Sequence, residues 1–462
     1  MLTKFDRFGN PSMTKVGCDS SLGSAMMVHI TKRNLRQARA VSARGSTPRP
    51  PARGGLRAIA AATGLAVLVS LSPELTEAPT RADEPTGILD GVATQTNRTA
   101  SPAVDAELLA EPDLPPTRIT RAAEVPHPIR PTASASASLQ FQAALDAARI
   151  DAGTYGATFA VVRDGQLVWA GSSGVERDGV TPLTPGSPMV IGSVTKTFVA
   201  ATVLELVDEG KLSLADSARR FLPDVPQVSR EITIHQLLDH TSGLADVFND
   251  ATRRGLEEHP ERAWSTRQVL ATLHAPWYQP GEGWAYANTN YYLLGMIVER
   301  VTGSSLEREI ERRFLDPLDL GSTRSLSPDD PSSPLAPAWT TIFWGSGAMS
   351  SSAGDLARWG DALYDDDVPQ HVLLDSDTAR AMFSFNRDDY GLGVKRFPEL
   401  APRNAYGHTG LLSTYTTLLL HLPREDITIA MLVNRTNVDL LSMLRQRPAW
   451  GGPSLLRMAI DS

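Results

Sequence analysis

Ser193-Val194-Thr195-Lys196-Thr197-Phe198-Val199-Ala200-Ala201-Thr202-Val203-Leu204-Glu205-Leu206-Val207-Asp208-Glu209-Gly210 is the stretch on which the architecture of this chain turns. From Thr195 to Glu209 it reads as one helix ended by Gly210. Phe198, Val199, Val203, Leu204, Leu206 and Val207 cover more than one of its faces, and a helix apolar on most sides is a buried one. Ser193 stands at its start, where unsatisfied backbone N–H groups and the positive end of the helix dipole favour an oxyanion. Lys196 follows one turn later on the same face. The chain has only six lysines among its 44 basic residues, so a lysine in a buried helix asks for a reason. Desolvation lowers the pKa of an ammonium toward the range in which the amine accepts a serine proton.

Outward from that helix the pattern alternates between strand and helix. Phe141 to Ile150 suits an amphipathic first helix. Ala157 to Val162, the turn Arg163-Asp164-Gly165 and Leu167 to Gly171 form a hairpin, with Asp-Gly supplying the turn chemistry. Thr416 to Leu422 and Ile427 to Val433 are apolar runs separated by Pro423-Arg424-Glu425-Asp426 and read as antiparallel strands. Leu440 to Leu444 and Leu455 to Ile460 read as helical. Early strands, a helical middle and late strands predict an α+β domain over 139–462. Its antiparallel central sheet is closed by the N- and C-terminal segments and flanked by helices, with a mostly helical second region beside it.

Upstream the composition changes. No acidic residue occurs between Asp19 and Glu74, while Lys32, Arg33, Arg36, Arg39, Arg44, Arg49, Arg53 and Arg57 accumulate ahead of an apolar run from Ala58 to Leu71. That layout assigns 1–72 as a basic N-terminal region with an export signal or anchor; at this length the run is short for a bilayer span, which needs about 20 residues. Residues 73–138, rich in Pro, Ala and Thr, hold no helical or strand period and read as a disordered linker. The chain of 462 residues carries a net charge of −8, which offers no electrostatic case for a nucleic-acid partner. Its one cysteine, Cys18, excludes an intrachain disulfide and a thiolate metal cluster.

The Ser-x-x-Lys pattern alone says little. It recurs at Ser12-Met13-Thr14-Lys15 with no apolar helix behind it, and an N-cap serine beside a solvated lysine reads the same way. Two further groups bear on it. Tyr286-Ala287-Asn288 lies between Pro280-Gly281-Glu282-Gly283 and the apolar run Tyr291 to Val298, in a loop where side chains face a cleft or merely pack. His408-Thr409-Gly410 leads into a strand, where glycine lets a substrate approach the backbone closely.

In this order and spacing the three motifs resemble the penicillin-recognising serine hydrolases: class C β-lactamases, serine DD-carboxypeptidases and related esterases. The flanks fit as well, in Ile232-Thr233-Ile234-His235-Gln236-Leu237-Leu238, His240-Thr241-Ser242-Gly243-Leu244, Asn288-Thr289-Asn290-Tyr291-Tyr292-Leu293-Leu294-Gly295, Gly347-Ala348-Met349-Ser350-Ser351 and Gly407-His408-Thr409-Gly410. The resemblance covers nearly all of 139–462 and implies a β-lactamase/transpeptidase-like fold. It implies Ser193 as nucleophile, Lys196 as the group that helps deprotonate it, and Tyr286 as a second proton-transfer group. Asn288 would hold the acyl-side amide, His408 and Thr409 would face the leaving group, and the backbone N–H groups of Ser193 and Leu411 would form the oxyanion hole beside Gly410.

His408 stands where class C β-lactamases usually have lysine, which looks more like the DD-carboxypeptidases and esterases. The DD-carboxypeptidases commonly anchor a terminal carboxylate with a hydroxyl or arginine near the third motif. Leu411 offers neither, which leaves Arg403 and Thr409, and an apolar neighbour suits an ester or an uncharged amide. The expected function is a serine hydrolase acting through an acyl-enzyme on an amide or ester, peptidoglycan-derived material included. The alternatives are a silent ligand-binding or sensor module on the same fold, and a true β-lactamase. No cofactor and no metal are expected: His235 and His240, five residues apart, do not share a helix face.

Overall fold

The computed structural model describes residues 131–364, 373–400 and 404–462. The expected export segment, the linker up to 130, Ser12 and Arg403 lie outside them. Helix α1 spans Ala135–Ala152, with the Ser134 hydroxyl accepting from the Ala137 N–H and Gly153 stopping it at φ 64°. It therefore begins earlier than the boundary expected at 139, taking in Ala135–Ser138. A capping serine followed by alanines is enough to start a turn without any apolar period to announce it.

Strands β1 (Gly156–Arg163) and β2 (Gln166–Gly174) form the expected hairpin, and Asp164 and Gly165 both adopt positive φ, as a two-residue turn requires. The chain then passes through β3 (Met189–Val190), a short turn at Gly192–Val194 and the helix α2 (Thr195–Asp208). The helical region includes α3 (Asn288–Thr302), α4 (Pro337–Gly347) and α5 (Ala353–Tyr364). Strands β4 (Arg324–Ser325) and β5 (Met349–Ser351) join β3 in a small sheet of order β3-β5-β4. Last come β6 (Lys395–Arg396), β7 (Tyr406–Leu412), β8 (Tyr415–Leu422) and β9 (Ile427–Val433), then α6 (Leu440–Arg445) and α7 (Leu455–Asp461).

The main sheet runs β2-β1-β9-β8-β7-β6 with antiparallel pairing throughout. Ala157 opposes Val433 and Arg163 opposes Ile427, so the first strand closes on the last, as the sequence predicts. Every residue of β8 and β9 is buried because both faces of the sheet are covered. On one face Leu418, Leu420, Ile429 and Met431 meet Phe141 and Leu145 of α1 and Leu440 and Leu455 of the terminal helices. On the other, Leu419, Ala430 and Leu432 meet α2 and the helical region.

Helix α2 is the centre of that second layer, and its residues from Thr195 to Leu204 are all buried. Phe198 stacks on Trp359 of α5 at 4.0 Å, and the Trp359 Nε1–H donates to Thr197 Oγ1 at 2.8 Å. A stacked aromatic pair adds about 0.5–1.5 kcal/mol beyond its burial. The helix bearing Lys196 is thus held by its neighbours on every side.

Candidate active site

Two glycines set the position of Ser193. Gly192 has φ 51°, and a Cβ there would lie 2.8 Å from the Leu411 backbone nitrogen. A Cβ at Gly410 would lie 1.9 Å from the Ile191 carbonyl oxygen. The turn that carries Ser193 therefore rests directly on the backbone of β7. The absence of a side chain at Gly410 has a reason inside the protein: the space a Cβ would need is filled by Ile191.

Lys196 is fully buried, and its Nζ donates to Ser193 Oγ at 3.0 Å, Asn288 Oδ1 at 2.9 Å and the Ser346 carbonyl at 2.7 Å. It also lies 4.9 Å from the centre of the Tyr286 ring and 5.6 Å from that of Tyr291. Burial pulls its pKa down to about 7, against the opposing pull of the nearby Asp246 carboxylate. At neutral pH a large fraction is a free amine within reach of the serine proton.

Asn288 opens α3, and both ends of its amide are engaged inside the protein. Oδ1 accepts from Lys196, while Nδ2 donates to Asp246 Oδ2 at 3.2 Å. Asp246 Oδ1 accepts from the backbone N–H groups of Asn288 at 3.0 Å and Phe248 at 3.1 Å. Burial raises the Asp246 pKa to about 6. Besides the role expected toward a substrate amide, Asn288 has one inside the protein: its amide holds the lysine.

Tyr286 is half-buried beside Lys196, with its hydroxyl shielded from solvent. Its hydroxyl makes no well-formed hydrogen bond among the described residues, although the nearby Ser193 partly offsets the upward push of burial on its pKa. His408 is buried on the same side of the sheet, with Nδ1 2.6 Å from the Thr409 carbonyl and Nε2 2.9 Å from the Tyr390 hydroxyl. A carbonyl only accepts, so Nδ1 carries the proton and Nε2 accepts from Tyr390. Burial, with Lys196 nearby, lowers the His408 pKa to about 3, so the ring is neutral at neutral pH.

Thr409 and Leu411 alternate to the face of β7 away from His408. Thr409 pairs with Leu418, which packs in the layer of α1, α6 and α7, whereas His408 pairs with Leu419 of the α2 layer. The expectation that the Thr409 side chain faces the leaving group is corrected on that ground. Leu411 contributes its backbone to the site, and its apolar side chain carries no argument about substrate. His235 and His240 do not come together as ligands: His235 lies 3.8 Å from Asp239, while His240 is wholly buried under Tyr286.

Sequence reading missed Asp246, Tyr390, Ser346 and His240. Only His240 carried a signal, in His240-Thr241-Ser242-Gly243-Leu244.

A helix-start serine within reach of a buried amine, set against one strand of an antiparallel sheet, defines a serine hydrolase of the β-lactamase/transpeptidase architecture. The chain belongs to the beta-lactamase family, whose model matches residues 141–447. Penicillin-binding protein 4* of Bacillus subtilis is 24% identical over 321 residues, covering 61% of this chain and 68% of that protein. A D-aminopeptidase of Brucella anthropi is 29% identical, covering 60% of this chain and 55% of that protein, so only about half of the relative is spanned. Among solved structures, a D-stereospecific amidohydrolase from Streptomyces sp. superposes with a TM-score of 0.57 at 29% identity, covering 67% of this chain and 97% of the other.

Proposed function

We propose that the protein hydrolyses amides, and activated esters, of D-amino-acid acyl groups through an acyl-enzyme on Ser193. The observation that carries the chemistry is the fully buried Lys196 amine at 3.0 Å from Ser193 Oγ, with a pKa of about 7. In this reading neutral Lys196 takes the serine proton as Oγ attacks the carbonyl carbon. The oxyanion forms between the Ser193 and Leu411 N–H groups, one such donor contributing roughly 3–4 kcal/mol. Tyr286 passes a proton to the leaving nitrogen, and water then releases the acid. Neutral His408 presents no cation to a terminal carboxylate, which favours an uncharged leaving group over a free peptide terminus. Preference for the D-configuration rests on the similarity to a D-aminopeptidase and a D-stereospecific amidohydrolase.

A serine-directed phosphonate should add once, at Ser193, and Ser193→Ala should abolish both labelling and turnover, while Ser12→Ala changes neither. A label mapped to another serine, or turnover surviving in Ser193→Ala, overturns the reading. D-aminoacyl amides should outpace their L-enantiomers, and short-chain activated esters should outpace cephalosporins. The apolar run from Ala58 to Leu71 behind its basic flank supports export. A reporter joined to residues 1–130 should leave the cytoplasm of a bacterial host, and intact cytoplasmic accumulation would reject export.

A further inference from the structure

We propose that His240 is a positioning residue for Tyr286: a chain of hydrogen bonds locks its imidazole as the Nε2–H tautomer, and the locked ring is the floor on which the tyrosine rests. The inference builds on the proposed reaction, in which Tyr286 moves a proton. The chain starts at the Leu244 N–H, which donates to Ser242 Oγ at 3.2 Å. The Ser242 hydroxyl then donates to Asn290 Oδ1 at 2.6 Å, which turns Asn290 Nδ2 toward His240 Nδ1 at 2.9 Å. The backbone N–H of Ala287 donates to the same Nδ1 at 3.3 Å. A backbone N–H has no alternative role, so Nδ1 is an acceptor and the ring proton sits on Nε2.

The placement is specific to Tyr286. The His240 ring lies 4.3 Å from the Tyr286 ring at a 35° tilt, with Tyr390 against its edge at 4.8 Å. The His240 carbonyl accepts from the Ala285 N–H at 3.2 Å. The residues before and after Tyr286 are thus tied to the backbone and the ring of one histidine, and the tyrosine side chain to its face. His240 holds this place at φ 64°, a conformation uncommon for residues other than glycine. Its Nε2 has no partner among the described residues, whereas a histidine kept for packing alone would ordinarily satisfy both nitrogens.

The test uses the full chain. With ¹⁵N-labelled histidine, the His240 resonances should show Nδ1 unprotonated and Nε2 protonated across the working pH range. His240→Asn tolerates positive φ and keeps an acceptor for Ala287 and Asn290 while removing the ring. It should leave KM within about twofold and lower kcat roughly 10- to 100-fold, the cost of a misplaced catalytic group. Asn290→Asp exchanges the donor for an acceptor and should reverse the tautomer, lowering kcat with the ring still present. Should His240→Asn not fold, Asn290→Asp and the tautomer measurement decide. A kcat within twofold of wild type in the variants, or an Nδ1–H tautomer in the wild type, overturns the proposal. Failure of Ser193 to take the phosphonate strikes the proposed reaction instead, whereas an Nδ1–H tautomer with labelling intact strikes this inference alone.

Discussion

Replacing Lys196 with methionine should slow acylation severely and, in the same variant, remove a large pH dependence of stability. The lysine pKa falls from 10.5 to about 7 on folding because the ammonium is fully buried. Between those values the unfolded chain binds more protons than the native one, so this group makes the protein more stable as pH rises through that window. Its burden on the fold is about 4 kcal/mol at pH 7 and about 2 kcal/mol at pH 9, where the unfolded chain is itself nearing its pKa. Lys196→Met also strips a donor from Asn288 Oδ1 and Ser346 O, but that loss is the same at both pH values. Asp246 titrates near 6, below the window. Urea unfolding of both proteins at pH 7 and pH 9 should therefore show the wild type gaining about 2 kcal/mol on the variant. A gap that stays flat within about 0.5 kcal/mol, well below the one-unit equivalent of 1.4 kcal/mol, would refute a depressed lysine and with it the proposed base. Phosphonate labelling of Lys196→Met should slow by roughly 10²- to 10⁴-fold.

Asp246→Asn removes the carboxylate that holds the Lys196 pKa up, so the acid limb of kcat/KM should move below about 7, and an unmoved limb in a pH-rate profile would count against the coupling. Gly410→Ala places a methyl 1.9 Å from the Ile191 carbonyl oxygen; strain of roughly 1–3 kcal/mol should lower Tm and slow Ser193 labelling together, and a variant that keeps both would contradict the close approach of turn and strand. Arg313 is wholly buried and donates to Glu205 at 2.5 Å, Glu209 at 2.7 Å and Glu309 at 2.8 Å. Arg313→Leu should cost roughly 3–5 kcal/mol by removing the buried cation that gathers those carboxylates, with Arg312 still on Glu309 and Lys211 still on Glu209, seen as a drop in Tm that shrinks at acid pH.

Local patterns were enough to place much of the fold. Helix α2, the hairpin, and strands β8 and β9 announce themselves through runs whose period or apolar continuity is contained within each segment. The start of α1 is not legible in that way, because Ala135–Ser138 form a turn on propensity and a cap alone. Of the site, Ser193, Lys196, Tyr286, Asn288 and His408 stand in recognisable tripeptides or tetrapeptides, and the structure brings all five together. Which way each one faces is a separate matter. Strand alternation from His408 would have turned Thr409 and Leu411 away from it, but a sequence does not say which face of a strand meets the nucleophile.

What the sequence determined by itself is the order of elements, the buried character of the helix behind Ser193, and the motifs that resemble a serine hydrolase. Only the tertiary structure decided that Asn288 is bound to Lys196 and Asp246, that His408 is neutral against Tyr390, and that His240 lies beneath Tyr286. The physical reason is common to all three. The protonation state and hydrogen-bond role of a buried polar group are set by desolvation and by partners tens of residues away, and neither leaves a local pattern in the chain.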